Sequence, residues 1–196
     1  MSKLEERVAA LPCWSSPVTP QVLGGGITNT NFTVKHEGEK FVVRVGDDIP
    51  VHGVMRFHER AAGQAAFECG ISPEIIYTEP GFLVMRFIEG KTLTQEDVIQ
   101  ESYLKRIIPL LQQCHHGVAS HIRGPILFFW VFHVIRDYSA TLKDNNSRMI
   151  PHLPGYIELA SELEEVVGRM QPVFGHNDLL PANIIDDGQK LWLICT

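Results

Sequence analysis

Three side chains able to do chemistry fall within eight residues: His176, Asp178 and Asn183, in the stretch F-G-H-N-D-L-L-P-A-N-I-I-D-D-G-Q-K-L-W-L-I from Phe174 to Ile194. A carboxylate can orient a hydroxyl and accept its proton. An Asn five residues later offers a hard oxygen to a cation. That pairing suits phosphoryl transfer, which is mostly positioning and charge neutralisation. The same residue types also build ordinary polar turns, so the loop alone leaves both readings open. Its frame reads as loop, short strand, tight turn and second strand. Asp186-Asp187-Gly188 supplies the turn, because Asp and Gly tolerate positive φ and apolar runs flank them.

A second group lies near the other end of the chain. Val22-Leu23 leads into Gly24-Gly25-Gly26, followed by Ile27-Thr28-Asn29-Thr30-Asn31-Phe32. Consecutive glycines let backbone N–H groups approach phosphates closely, although a flexible hairpin turn has the same composition. No Gly-Lys-Ser/Thr follows, so this is not a Walker loop. Arg44 interrupts the apolar strand F-V-V-R-V, and alternation sets it on the opposite side from Val43 and Val45. A cation there marks either an exposed strand face or a group aimed at phosphate. Glu59, in the first half of a helix expected over 54–69, is either Arg44's partner or a solvated surface acid. His58-Glu59 is no zinc motif, because position 62 is Ala.

The elements that must position these groups follow from local signals. Ser2 and Glu5 form a capping box for a helix over 3–10. Pro12, Pro17 and Pro20 make the next segment irregular. Strands are expected at 32–35, 41–45, 75–78 and 82–87, giving five strands and one helix in residues 18–88 once the approach to the glycines is counted. Gly70 and Pro73 stop the helix. Ile88-Glu89-Gly90 reads as a hinge. Beyond it Thr94 and Asp97 can cap a helix, and helices are expected near 102–116, 127–142 and 154–170, the first kinked at Pro109. Glu162, Glu164 and Glu165 are assigned to the wet side of the last. The aromatic run Phe128-Phe129-Trp130-Val131-Phe132 reads mainly as helix core, with a face for a cationic ligand as the alternative. Cys114, His115, His116 and His121 match no structural zinc spacing and read as a polar helix end.

Composition narrows the classes. Of 196 residues 44% are hydrophobic and 20% charged, which is globular rather than disordered. A net charge of −6 argues against a general nucleic-acid binder and is compatible with a cationic small substrate. Cys13, Cys69, Cys114 and Cys195 are dispersed, which fits a reducing compartment. The first residues lack a secretory h-region, and the apolar run 125–132 is too short to span a bilayer. A cytoplasmic location, with no membrane partner, is the expectation.

In this order, the parts resemble the choline/ethanolamine kinase and aminoglycoside phosphotransferase superfamily, a branch of the protein-kinase-like fold. The most specific piece is His176-Asn177-Asp178-Leu179-Leu180-Pro181-Ala182-Asn183, similar to that family's catalytic-loop signature. The G-G-x-T-N-x-x-F pattern at 25–32 and Arg rather than Lys at position 44 look closest to the choline kinase branch. The resemblance implies an α+β, two-lobe fold. Residues 1–88 would be an N-lobe with a five-stranded antiparallel sheet and a helix, and 89–196 a mainly helical, incomplete C-lobe. It implies ATP and Mg²⁺ as cofactors and a small amino alcohol as substrate, with an aminoglycoside, thiamine or a sugar derivative as other acceptors. By the same carry-over Gly24, Gly25, Gly26, Thr28 and Asn29 would cover the ATP phosphates. Arg44 would contact phosphate, held by Glu59. Met85, Phe87 and Ile88 would line the adenine site. Asp178 would orient the hydroxyl and accept its proton, Asn183 would bind Mg²⁺, and His176 would brace the loop.

One departure bears on activity. In the resembled family the strand after this hairpin ends in Ile-Asp, and that Asp binds the metals; here Leu191-Trp192-Leu193-Ile194 meets Cys195. A thiol is a poor Mg²⁺ ligand. The expectation is a shortened member, or a non-catalytic nucleotide-binding module, that transfers phosphate hardly or not at all. Its helices at 102–116, 127–142 and 154–170 would then carry uncovered apolar faces prone to self-association.

Overall fold

The computed structural model describes residues 2–24 and 29–194. Cα packing divides the chain into two units, one of Met1–Pro50, Val54–Ile126 and Val173–Thr196, the other of Val51–Gly53 and Leu127–Pro172.

The first unit opens with helix α1 (Lys3–Ala9), whose Ser2–Glu5 capping box is formed. Five strands follow: β1 (Gln21–Leu23), β2 (Thr30–His36), β3 (Glu39–Val45), β4 (Ile75–Glu79) and β5 (Phe82–Arg86). They make an antiparallel sheet in the order β1-β2-β3-β5-β4. The β2–β3 hairpin turns through Glu37 and Gly38, both at positive φ, the geometry that suits the right-handed twist of a two-residue hairpin. Alternate residues Phe32, Val34, Phe41, Val43 and Val45 bury against Val8 and Leu11, with Trp14 and Tyr77 at the margin. Strand β5, between β3 and β4, is buried over Phe82–Met85, so the sheet is covered on both faces there.

Helix α2 (Arg56–Glu68) buries Ala62, Gly63, Ala65 and Ala66. These small residues allow a close approach to the sheet; a Cβ on Gly63 would lie 2.9 Å from Ile75 Cδ1. The helix starts two residues later than its apolar pattern suggests and ends at Glu68; beyond the Cys69 cap, the positive φ of Gly70 lets the Ile71 N–H reach back to the Ala66 carbonyl. A strand the sequence did not reveal, β6 (Lys91–Thr92), follows the hinge stretch and pairs with β7 (Ile184–Asp186), which pairs with β8 (Leu191–Leu193). Gly90 is obligatory there: a Cβ would sit 2.5 Å from the Asp186 carbonyl oxygen. Helix α3 (Gln95–Val98) carries the Thr94–Asp97 capping box, and Asp97 also takes the Lys91 ammonium at 2.6 Å. Helix α4 (Glu101–Gly117) continues through Pro109 and buries Ile107, Leu110 and Cys114. These pack with Ala65, Ala66, Ile71, Leu93, Ile184, Leu191 and Leu193 as a second core.

The second unit is built mainly on two helices in contact, α5 (Val131–Asp144) and α6 (Leu153–Val167). Helix α5 begins later than expected, because residues up to Trp130 stay extended. Gly168, at positive φ, ends α6 three residues before the expected stop. The aromatic run is not the core element its composition suggests: Phe132 is buried, but Phe128 and Phe129 are about 60% exposed because they precede the helix. Glu164 is not on the wet side either. It accepts from Trp130 Nε1 and pairs with Arg136, while Leu159, Leu163 and Val166 face outward. No helix among the described residues is long and apolar enough to cross a membrane.

Candidate functional site

Asp178 and Asn183 are joined by the fold of their own loop. Asn177 adopts positive φ, the Leu180 N–H returns to the Asp178 carbonyl at 2.9 Å, and a 3-10 turn over Pro181–Asn183 brings the amide back. Asn183 is buried, and its Nδ2 donates to the Asp178 carbonyl at 2.8 Å and to Asp178 Oδ2 at 3.3 Å. With the nitrogen so committed, the amide oxygen is the atom of Asn183 that a hard cation would use. Asp178 itself is exposed. His176 Nε2 donates to the Ile194 carbonyl at 2.9 Å, and the Ile194 N–H donates to the Asn183 carbonyl at 2.8 Å, so the loop is stapled to the end of β8.

The two acids of the following turn have structural work. Asp186 takes both ends of the Arg106 guanidinium at 2.5 and 2.7 Å, which holds its carboxyl below the usual range. Asp187 accepts the Lys190 and Gln189 backbone N–H groups and Trp192 Nε1, each at 2.7 Å, and is likewise lowered, first by the Lys190 amide. Neither is available as a base. The hairpin is also tied to the end of α2: Leu193 N–H donates to the Ile71 carbonyl and Lys190 Nζ to the Gly70 carbonyl, both at 2.8 Å.

Around Arg44 the geometry is equally specific. Arg44 is only 5% exposed, and its Nη1 donates to Glu59 Oε1. The other Glu59 oxygen accepts from Arg56 Nη1 at 2.7 Å, so one carboxylate holds two guanidinium groups. Arg44 Nε is buried with no hydrogen-bond partner in the structure. An unsatisfied buried donor costs about 1–3 kcal/mol, and an anionic ligand oxygen would satisfy it. A cleft of about 390 Å³ opens beside Arg44, Arg56 and Glu59 and runs to the β4–β5 turn at Thr78–Leu83.

The remaining expected residues distribute as follows. Gly24 has open space around its Cα, and Asn29 Oδ1 accepts from Arg56 Nη2 at 2.7 Å. Gly25, Gly26, Thr28 and Cys195 lie outside the described residues. Met85 is buried in β5 opposite Val42, and Phe87 and Ile88 follow it half-buried, the Phe87 N–H donating to the Lys40 carbonyl. Met85, Phe87, Ile88 and Asp178 do not line the 390 Å³ cleft. The hard oxygens of Asp178 and Asn183 suit a Mg²⁺ ion; among the described residues no cluster of three His, Cys, Asp or Glu stands ready for a metal. Sequence reasoning missed Arg56, although Arg-x-x-Glu in a first helical turn places Arg56 and Glu59 at the i, i+3 pairing distance. It also missed Arg106–Asp186, for which an 80-residue separation leaves no local signal.

The chain is similar to Protein LicA of Haemophilus influenzae, at 24% identity over 87% of this chain and 50% of that protein. Its fold is similar to that of an ethanolamine kinase from Plasmodium vivax, with a TM-score of 0.71 at 20% identity over 90% of this chain and 55% of the other. It is also similar to the choline kinase LicA of Streptococcus pneumoniae, with a TM-score of 0.70 at 22% identity over 97% and 66%. The chain thus spans between half and two thirds of the length of these relatives. The family model described as choline/ethanolamine kinase matches residues 21–195, from the first residue of β1 to two residues past β8, and with the Asp178–Asn183 loop and the Arg44–Glu59 pair in place the chain belongs to the choline/ethanolamine kinase family.

Proposed function

We propose that this chain binds ATP and belongs to a phosphotransferase that moves the γ-phosphate to the hydroxyl of a small amino alcohol, choline or ethanolamine. The observation that carries the reading is the buried Arg44 guanidinium, pinned by Glu59 with its Nε unsatisfied. A group so held is prepaid in orientation and gains a partner only when an anion arrives. Family membership supports the substrate class, and a structurally similar LicA has been solved with AMP. In this reading residues 1–88 form the nucleotide lobe and 89–196 the lobe with the catalytic loop. The stretch from Gly24 to Asn31 covers the phosphates with Thr28 and Asn29 near them, Met85–Ile88 meet the adenine, Asp178 orients the acceptor hydroxyl and takes its proton, and His176 keeps its own loop on the end of β8. Mg²⁺ held at Asn183 would neutralise phosphate charge.

Cys195 divides binding from transfer. A thiol in place of a carboxylate weakens the metal set, so this chain binds nucleotide and transfers slowly or not at all. The test is thermal melting with ATP, with and without Mg²⁺, beside radiolabel transfer to choline and ethanolamine. Ligand at a hundred times its Kd stabilises by about 2.7 kcal/mol, which for a chain of this size raises Tm by roughly 5–10 °C. Cys195→Asp is expected to raise Mg²⁺-dependent transfer at least tenfold. No ATP-dependent shift in Tm would end the nucleotide reading; strong transfer by the unaltered chain would end the role given to Cys195.

A further inference from the structure

Arg56 receives no role from the signature of the catalytic loop or from the glycine pattern, yet it is the most connected side chain around Arg44. Nη1 donates to Glu59 Oε2 at 2.7 Å, Nη2 to Asn29 Oδ1 at 2.7 Å and to the Asp47 carbonyl at 2.9 Å, and Nε to the same carbonyl at 3.2 Å. Its own backbone N–H donates to Asp48 Oδ1 at 2.7 Å. One planar fork therefore joins three segments: the residue leaving the glycine loop, the β3–α2 connection, and the acid that holds Arg44. Gly46 makes room for it. A Cβ at that position would lie 2.5 Å from both Arg56 Nη2 and Asn29 Oδ1.

We propose that Arg56 is a positioning residue for the triphosphate, acting through Asn29 on the glycine loop and through Glu59 on Arg44 rather than by touching the ligand. The donor inventory supports this. Arg has five N–H donors in a fixed fork, and the four contacts above occupy Nε and both terminal nitrogens. Lys offers a point charge on a flexible stem and cannot serve Glu59, Asn29 and Asp47 together. Arg56 thereby fixes Asn29 relative to the acid that holds Arg44, two residues assigned to the phosphates in that reading, so its effect falls on phosphate groups and not on the base. The proposal rests on the nucleotide-binding reading above.

The experiment compares ATP and adenosine affinities, by titration calorimetry, for the unaltered chain, Arg56→Gln, Arg56→Lys and Gly46→Ala, with Tm recorded for each. Gly46→Ala displaces the Arg56–Asn29 contact without removing any charge. The expected result is that all three variants weaken ATP at least fivefold and adenosine less than twofold. Equal weakening of both ligands would mean a general structural role and overturn the proposal. So would unchanged ATP affinity in Arg56→Gln and Gly46→Ala while the unaltered chain binds ATP. An unaltered chain that binds neither ligand would overturn the nucleotide reading and this proposal together. Should Arg56→Gln fail to fold, Gly46→Ala and Arg56→Lys decide on the same criteria.

Discussion

Replacing Glu59 by Gln removes one negative charge from between two guanidinium groups and keeps the shape. Arg44 is 5% exposed, Glu59 15% and Arg56 20%, so the arrangement is largely shielded from water. Breaking a buried pair by deleting one partner costs about 3–5 kcal/mol, because the other charge is left uncompensated. Two features reduce that here. The Gln oxygen still accepts one hydrogen bond, and Arg56 keeps the Asp47 carbonyl and Asn29. The expected loss is about 2–4 kcal/mol, a large share of the 5–15 kcal/mol typical of a folded domain. With a urea slope of about 2 kcal/mol per molar, the midpoint falls by roughly 1–2 M, readable from the fluorescence of Trp14 and its neighbours. A double replacement, Arg44→Met with Glu59→Leu, should recover the share of the loss that belongs to Arg44, since well-packed apolar residues match or exceed a buried ion pair in stability, while Arg56 keeps the Asp47 carbonyl and Asn29. That variant should still fail to bind ATP. A midpoint shift below about 0.3 M for Glu59→Gln would refute the reasoning, because it would mean that the two arginines do not depend on the acid.

Gly90→Ala should cost about 2–3 kcal/mol, since its Cβ would meet the Asp186 backbone, which cannot yield without parting β6 from β7. Gly155→Ala in α6, with nothing within 4 Å of the added carbon, should be neutral or stabilising by up to about 1 kcal/mol; chemical denaturation of the pair checks both. Acid stability follows from lowered carboxyls. Asp186 beside Arg106, Asp97 beside Lys91 and Glu164 beside Arg136 all sit below their ordinary values. Their contribution is therefore full above about pH 5, where unfolded carboxylates are ionised, and is lost as pH falls through the lowered folded values. Melting from pH 5 to 2.5 should show that decline, and Arg106→Gln should flatten it. Val166→Lys, at a side chain 84% exposed, should change stability by less than about 0.5 kcal/mol while reducing self-association in light scattering.

The five strands, α2 and the turn at Gly188 were legible because each rests on short-range signals: alternation, paired turn residues, a glycine stop. Arg44 and Glu59 could be named as partners from their elements, but only the packing of α2 on the sheet decides that Arg44 is sealed rather than exposed. What the sequence hides is long-range. Two residues suffice for β6 because β7 supplies the pairing, and no periodicity can mark so short a strand. Arg106 reads as one more helix surface cation until Asp186 is brought to it. The aromatic run misleads for another reason: Phe128 and Phe129 have core composition, yet they precede the first turn of α5 and have no helix face to be on. Glu164 shows the reverse, an acid drawn inward by Trp130 and Arg136.

The tie between the Leu193 amide and the Ile71 carbonyl makes one peptide hydrogen a gauge of two distant events. Ile71 follows the last turn of the helix that carries Glu59, and Leu193 lies on the strand to which the Asp178 loop is anchored. Should that helix swing away from the sheet, the Leu193 proton loses its acceptor and exchanges with deuterium. That one amide thus records whether the arginine side and the aspartate side of the chain hold the same register, with no ligand needed for the reading.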